Sequence, residues 1–414
     1  MYRTPEEERN MPKNYEGLKV LDFTRVLVGP WMTQYLRDNG AEVIKIERPF
    51  TGTDERSYTP LVEGKNGVQS GYYMMVNRGK KSVALDLKDP DCREAVRELI
   101  KWADVIAENF APGVMKRMGF GYEECRALNP SVIYISLSTY GQEGPISSLP
   151  GWDINAQAMS GLMWMCGEAD ETPVRDGTSI GDVNATGYAL GALGAALYYR
   201  SRTGKGQYID ISLRDLLSSE LETALTRYLC SGGKDEPIRS GRHHATLAPY
   251  GIFDCGKGKA CVIVGLTDKT WSAICSAMGE SGWGSEERFS TSAGRGKYVR
   301  EIVEHIERWL KGFDDYLDAV RMLQKEKVPC VPIYSMADLV KDEQWLMRNN
   351  LVHVDDPVFG EVDLPATPVI FSETSVFNDS PAPLLGQHTE EVLRDVARLP
   401  EEKIRTILKK CGCA

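Results

Sequence analysis

Residues 18–48 hold a strand (LKVLDF), a loop (TRVLVGP), a helix (WMTQYLRDNG, with Gly40 as its stop) and a second strand (AEVIKIER). Two strands joined through a helix over this length form a βαβ unit, because parallel strands need such a crossover. The pattern continues with SVALDL, a helix launched by Asp89-Pro90-Asp91, the strand DVIAENF, a short helix after Ala111-Pro112-Gly113, another from GYEEC, and the strand VIYISLS. Strands alternating with helices predict an α/β domain: a mainly parallel sheet covered on both faces, with ligands at the carboxyl ends of the strands.

A small-residue stretch, TSIGDVNATGYALGALGAAL (residues 178–197), leads through the turn SRTGKGQ into the strand QYIDISL and a helix from about Arg214 to Cys230. Between about Gly232 and Val328 the character changes to short strands (GIFDCG, KACVIVG) and helices rich in Trp, Met and Glu, which predicts a smaller α+β domain. The expected division is a large domain over 1–225, a small domain over 226–330 and a last part over 331–414, whose return to the large domain is what the resemblance given below implies. That last part reads VPCVPIY, the helix MADLVKDEQWLMRN, the strand pair LVHVDDPVFGEVDLP and a helical segment after PLLGQHTEEVL. Periodicity leaves open whether it rejoins the first sheet.

The chain has 414 residues, enough for two domains, and 42% hydrophobic with 26% charged residues marks it as folded. A net charge of −10 opposes a nucleic-acid partner, since phosphate binding needs clustered Lys and Arg. MYRTPEEERNMPKNYEG has no apolar signal-peptide core, and the run Tyr188–Tyr199 is too short and glycine-rich to span a bilayer, so no membrane partner is expected. Ten scattered cysteines without a CxxC pair fit reduced thiols in a cytoplasmic protein. The CGCA ending reads as a frayed terminus, and His243 with His244 lacks a ligand-spaced partner set, so no metal site is expected.

Glu47, at the end of the second strand, stands where dinucleotide-binding folds hold a ribose. The first turn, however, has only Gly29 where three glycines let a backbone approach a pyrophosphate, and SRTGKGQ lacks the phosphate-loop spacing. Arg48, Lys88 and Arg117 follow strand or loop ends and offer charge to phosphates. Glu108-Asn109-Phe110 lies at a strand end on the same edge. Asp182 has two readings, a helix N-cap or a nucleophilic carboxylate. The second draws on Gly187, Gly191 and Gly194, which cost a helix about 1 kcal/mol each, leave room for a backbone or thin ligand, and accompany a carboxylate that the helix dipole keeps ionised. Asp153 in PGWDINAQAMSG has a similar pair of readings, an N-cap or a second carboxylate in a cleft.

The blocks GLKVLDFTRVLVGPWMTQYLRDNGAEVIKIERP, NRGKKSVALDLKDP, ADVIAENFAPGVMKRMGFGYE, LNPSVIYISLSTYGQEGP, GWDINAQAMSG, IGDVNATGYALGALGAALYYRSRTGKGQYIDISL and APLLGQHTEEVL together resemble the class III coenzyme A transferases. The resemblance implies an interlocked homodimer, with a large Rossmann-like domain built from both chain ends. It makes Asp182 the nucleophile. It also places coenzyme A against Val26, Leu27, Val28, Arg48, Leu85, Lys88, Asn109, Phe110, Ala111, Arg117, Trp152 and Asp153. Coenzyme A is then the substrate's carrier, with no tightly bound cofactor, and the reaction passes it from an acyl-CoA (succinyl or acetyl) to an organic acid. Two residues depart from relatives. Leu27 replaces the glutamine of the formyl-CoA enzyme, and Trp152 replaces the histidine base of the acyl-CoA racemases, which sets a racemase below a transferase. A non-catalytic coenzyme A binding protein is a third reading, opposed by Asp182. Leu27, Trp152, Met163 and Met165 hint at apolar surface in the site.

Overall fold

The computed structural model describes residues 3–413. The chain forms two compact units: one from the residues up to Ser160, Gly177–Glu220 and Glu343 onward, the other from Gly161–Asp176 and Leu221–Asp342.

The first unit is organised by six strands, β1 (Lys19–Asp22), β2 (Glu42–Glu47), β3 (Lys81–Ala84), β4 (Val105–Glu108), β5 (Ile133–Ser138) and β6 (Tyr208–Ser212). They lie in the order β3-β2-β1-β4-β5-β6, and every neighbouring pair is parallel. This is the doubly wound order of a Rossmann sheet, whose topological switch point falls between β1 and β4. β1 and β4 are buried along almost their whole length because helices cover both faces, which is why Val20-Leu21 and Val105-Ile106-Ala107 are apolar in succession, with the buried carboxylates Asp22 and Glu108 at the strand ends.

The helices that matter for the site are α1 (Val28–Asp38), α2 (Pro90–Trp102), α3 (Val114–Arg117), α4 (Asp153–Met159), α5 (Ile180–Thr203) and α6 (Leu213–Ser219). α2 starts as its sequence predicts, with the Asp89 carboxylate accepting from the Asp91 and Cys92 N–H groups at 2.9 and 3.2 Å and Pro90 in the first turn. The single helix expected over Arg214–Cys230 is two, α6 and Glu222–Cys230, and the break coincides with the passage from one unit to the other. MADLVKDEQWLMRN likewise divides into Met336–Leu339 and Glu343–Met347.

The final segment rejoins the large unit as helix, not as an added strand. Val392, Leu393, Ile404, Ile407 and Leu408 are buried in the same core as Ile44, Val83, Leu99 and Ile106. The chain end is therefore not frayed. Cys411 is buried with its Sγ 3.9 Å from that of Cys92, and Cys413 packs against the same core, while Ala414 lies outside the described residues.

The second unit has a three-stranded antiparallel sheet, Cys330–Pro332, Lys259–Val264 and Tyr250–Gly256 in that order. Asp268–Ala277, Val299–Leu310 and Tyr316–Lys325 cover it with a core of Phe253, Ile263, Trp271, Ile302, Ile306 and Leu323. Among the described residues no helix is long and apolar enough to cross a membrane.

Candidate active site

The site begins with buried charge at the carboxyl ends of β1 and β2. Asp22, the last residue of β1, is fully buried and accepts from the Thr24 N–H at 2.8 Å, the Thr33 hydroxyl at 2.6 Å and the Lys80 ammonium at 3.2 Å. Burial pushes its pKa up, but Lys45, Lys80 and these donors outweigh burial and hold it below the ordinary carboxylate value. Lys45, also fully buried, pairs with Glu55 at 3.2 Å and donates to the Thr24 carbonyl at 2.7 Å. Glu47 is engaged by Arg56, Ser82 and Thr53. Against the cost of burial, these donors bring its pKa to about 2. A carboxylate so occupied has nothing left for a ribose, which removes the dinucleotide reading on geometric grounds.

This network shapes the loop between β1 and α1. The Val26 backbone has φ +70°, a strained conformation for a β-branched residue, and its N–H donates to Glu55 at 3.1 Å. Arg25 is held at both backbone atoms by Asn109: its N–H donates to Asn109 Oδ1 at 2.9 Å, and its carbonyl accepts from Nδ2 at 2.7 Å. Gly29 permits the close turn, because a Cβ there would stand 2.2 Å from that of Thr24.

Across the switch point lies a cleft of about 470 Å³. Its walls are Arg25–Val28 from the loop after β1, Asn109–Pro112 from the loop after β4, Leu137–Tyr140 from the end of β5, and Gly151–Asp153 ahead of α4. Asp182 reaches the same cleft from the first turn of α5.

The two carboxylates differ from what their local sequence predicts. Asp182 is not an N-cap; Ser179 holds that position and Asp182 lies in the first turn. Nor does Asp153 cap its own helix, since Trp152 precedes α4 as its cap residue. Asp153 instead caps α5 from outside, its Oδ1 accepting from the Gly181 N–H at 2.7 Å and the Asp182 N–H at 3.2 Å. A Cβ on residue 181 would come 2.8 Å from that oxygen, so the glycine before Asp182 admits the cap. Gln157 donates to the other oxygen of Asp153 at 2.7 Å.

The positive end of α5 is thereby spent on Asp153. The dipole expected to keep Asp182 ionised does not prevail: burial, joined by repulsion from Asp153, pushes the Asp182 carboxyl up to about 7. A carboxyl raised this far and set in a cleft is a candidate for chemistry.

The structure gathers Val26, Leu27, Val28, Asn109, Phe110, Ala111, Trp152, Asp153 and Asp182 around this cleft. Arg48, Leu85, Lys88 and Arg117 are not among its lining residues. Leu85 is a core residue, 1% exposed, with its N–H given to the Glu47 carbonyl at 3.0 Å. Arg48 is paired with Asp54 at 2.5 Å. Lys88 and Arg117 are exposed beyond the ends of β3 and β4, and among the described residues neither forms an ion pair. Gly187, Gly191 and Gly194 face open space, so within one chain they serve no close packing.

Two further residues lie at the cleft or within electrostatic reach of Asp182. Arg25 lines the cleft and lies over the Phe110 ring, 4.7 Å from its centroid. Tyr72 is held above its ordinary pKa by burial and then by the charge of Asp182, which places its hydroxyl in the electrostatic reach of that carboxylate. Arg25 stood inside the quoted TRVLVGP loop, whereas nothing in SGYYMMVN signals a neighbour more than a hundred residues away.

Residues 15–389 match the family described as CoA-transferase family III. The chain belongs to that family. This transferase is 34% identical over 406 residues, 98% of its own length and 91% of the relative's, to the succinyl-CoA:glutarate CoA-transferase of Homo sapiens. It is 37% identical over 393 residues, 94% and 97% of the two chains, to the acetyl-CoA:oxalate CoA-transferase of Acetobacter aceti. Among solved structures it is similar to a CAIB/BAIF family protein from Brucella suis, with TM-score 0.84, 33% identity and coverage of 93% and 100%. The protein is thus an enzyme that transfers coenzyme A.

Proposed function

We propose that the transferase moves coenzyme A from succinyl-CoA or acetyl-CoA to a second organic acid, with Asp182 as the nucleophile. The observation that carries this reading is the partly buried Asp182 carboxyl at the switch-point cleft, pushed up to about 7 beside Asp153. A basic carboxylate with no competing hydrogen-bond donor on its own helix end is a stronger nucleophile than an exposed aspartate.

In the proposed sequence Asp182 attacks the donor thioester carbonyl, the C–S bond breaks, and a mixed anhydride forms as the coenzyme A thiolate leaves. The thiolate attacks the Asp182 carbonyl, which expels the donor acid and leaves an aspartyl thioester. The acceptor carboxylate then attacks that thioester, giving a second anhydride, and the returning thiolate takes the acceptor acyl group and frees Asp182. One thioester is broken and one made, so the exchange is nearly balanced. The loops at Val26–Val28 and Asn109–Ala111 and the Trp152-Asp153 turn would hold the coenzyme. Arg48, Lys88 and Arg117, which lie outside the cleft lining, would meet its phosphates, and Leu85 would be a further contact.

The relatives named for glutarate and oxalate support an acid acceptor. A homodimer belongs to the same proposal, supported by the exposed glycine face of α5 with Tyr188, Tyr198 and Tyr199 beside it. So does a cytoplasmic location, in keeping with ten cysteines all present as free thiols.

The test mixes the protein with succinyl-CoA or acetyl-CoA and a pool of carboxylic acids that includes glutarate and oxalate, and identifies new thioesters by mass spectrometry. A new thioester formed at the donor's expense is the expected result. No product from any pair, with α-proton exchange from solvent into a branched acyl-CoA, would sink the transferase reading in favour of a racemase. Asp153→Asn tunes the same site. Removing that negative charge lowers the Asp182 pKa, so the acid limb of the kcat/KM profile moves to lower pH. An unmoved limb would mean that Asp153 has no electrostatic hold on the nucleophile.

A further inference from the structure

We infer that Thr186 is a positioning residue that sets the register between the helix carrying Asp182 and the loop that would hold the thioester, an inference that rests on Asp182 being the nucleophile. The buried residues of α5 are Gly181, Ala185, Thr186, Ala189, Leu193 and Ala196. Five of them offer only small or apolar contact, which is non-directional and lets one helix slide along another with little penalty. Thr186 alone among them has a hydrogen-bonding side chain, and it is 7% exposed.

Its hydroxyl lies 3.1 Å from the Val28 carbonyl oxygen and 3.2 Å from the carbonyl oxygen of Asp182. The second contact is the ordinary back-bond of a helical threonine to the residue four earlier. The first is not local. It joins α5 to the first residue of α1, 158 positions away in sequence.

Val28 closes the loop that most needs an external hold. Its predecessor Leu27 is the cap residue of α1 and supplies no side-chain hydrogen bond to that helix, while Val26 has its strained positive φ. Asn109 secures the loop at Arg25 and Glu55 secures it at Val26, so Thr186 is the tie at the exit. One hydroxyl therefore touches both the backbone of the nucleophile and the backbone of the loop. A shift between those two backbones changes the distance over which the carboxylate must attack, and misplacement by about 1 Å can cost a reaction about a hundredfold.

The test compares Thr186→Val, which keeps the shape and deletes the hydroxyl, with Thr186→Ser, which keeps the hydroxyl. Each is mixed with succinyl-CoA or acetyl-CoA and quenched, and the covalent adduct on Asp182 is followed by mass spectrometry alongside steady-state kinetics. Thr186→Val is expected to form the adduct and turn over about ten to a hundredfold more slowly. Its KM for the thioester stays within about twofold, because the loop contacts to coenzyme A remain. Thr186→Ser is expected to stay within about threefold of the parent. Should Thr186→Val fail to fold, Thr186→Ala carries the same expectation. An adduct that forms in the hydroxyl-less variant at the parent's rate overturns the inference alone. An adduct absent from the parent overturns the nucleophile reading, and the inference with it.

Discussion

Asp182→Asn is expected to lower coenzyme A transfer by on the order of 10³-fold or more, because the proposed covalent relay would have no substitute group, and at the same time to raise thermal stability at pH 8. The stability sign follows from protonation. The folded protein holds the Asp182 proton up to about pH 7, whereas the ordinary value of 3.8 lets the unfolded chain release it far lower. Between those values the folded state binds more protons, so this group's favourable contribution is fully present below about pH 4 and is lost as pH rises through about 7. Asparagine cannot ionise. Its advantage therefore appears above pH 7 and vanishes near pH 4. Thermal melts at pH 4 and pH 8, beside the transfer assay, check both halves. An inactive variant that melts lower than the parent at pH 8 would point to misfolding and deprive the lost activity of its meaning.

Lys45→Met is expected to destabilise the large unit by about 3–5 kcal/mol, the usual cost of removing one partner from a buried ion pair. Burial works against the Lys45 charge, yet Glu55 and Asp22 outweigh it and hold its pKa above the ordinary value. Both Lys45 and Glu55 are fully buried. Without the ammonium, Glu55 is left as an uncompensated charge beneath Val26, so activity falls with stability. A urea titration reads the change, and Lys45→Met combined with Glu55→Gln should recover part of it because the orphaned charge is gone. A loss below about 1 kcal/mol would show that the buried pair adds little to the stability of the large unit.

The parallel sheet was legible because its strands are short, rich in Val and Ile, and separated by helices or turn signals. Asp89-Pro90-Asp91 shows how far local chemistry reaches, since both the cap and the first turn stand where the residues demand them. The α6 break at Glu220-Leu221 was not legible, because the residues on both sides suit a helix and only the tertiary split interrupts it. The hairpin Leu61–Gly64 with Gly67–Ser70 left no trace either: Leu61 and Val68 are exposed, so no apolar alternation marks it.

At the cleft, strand ends and helix starts pointed to several of the lining residues but not to their partners, and Arg48, Leu85, Lys88 and Arg117 fall outside the lining. IGD announced a carboxylate at a helix start, but the oxygen that occupies that helix end belongs to Asp153, 28 residues earlier. Asn109 was marked as a ligand contact from its strand end, and the structure has its amide bonding Arg25 at both ends. Hydrogen bonds between distant loops depend on the finished sheet order, which no local window contains.

The packing of Ile404, Ile407 and Leu408 into the core beside Leu99 and Ile106 bears on how the chain is made. A ribosome delivers residues in order, and domains close as their parts emerge. The core of the second unit lies between Ala248 and Cys330 and is complete while the last helix is still inside the tunnel. The Rossmann sheet, emerging first, must wait with one flank of its core uncovered until residues beyond 400 arrive. The nascent large unit is thus the stretch of this protein with most to gain from a chaperone during synthesis.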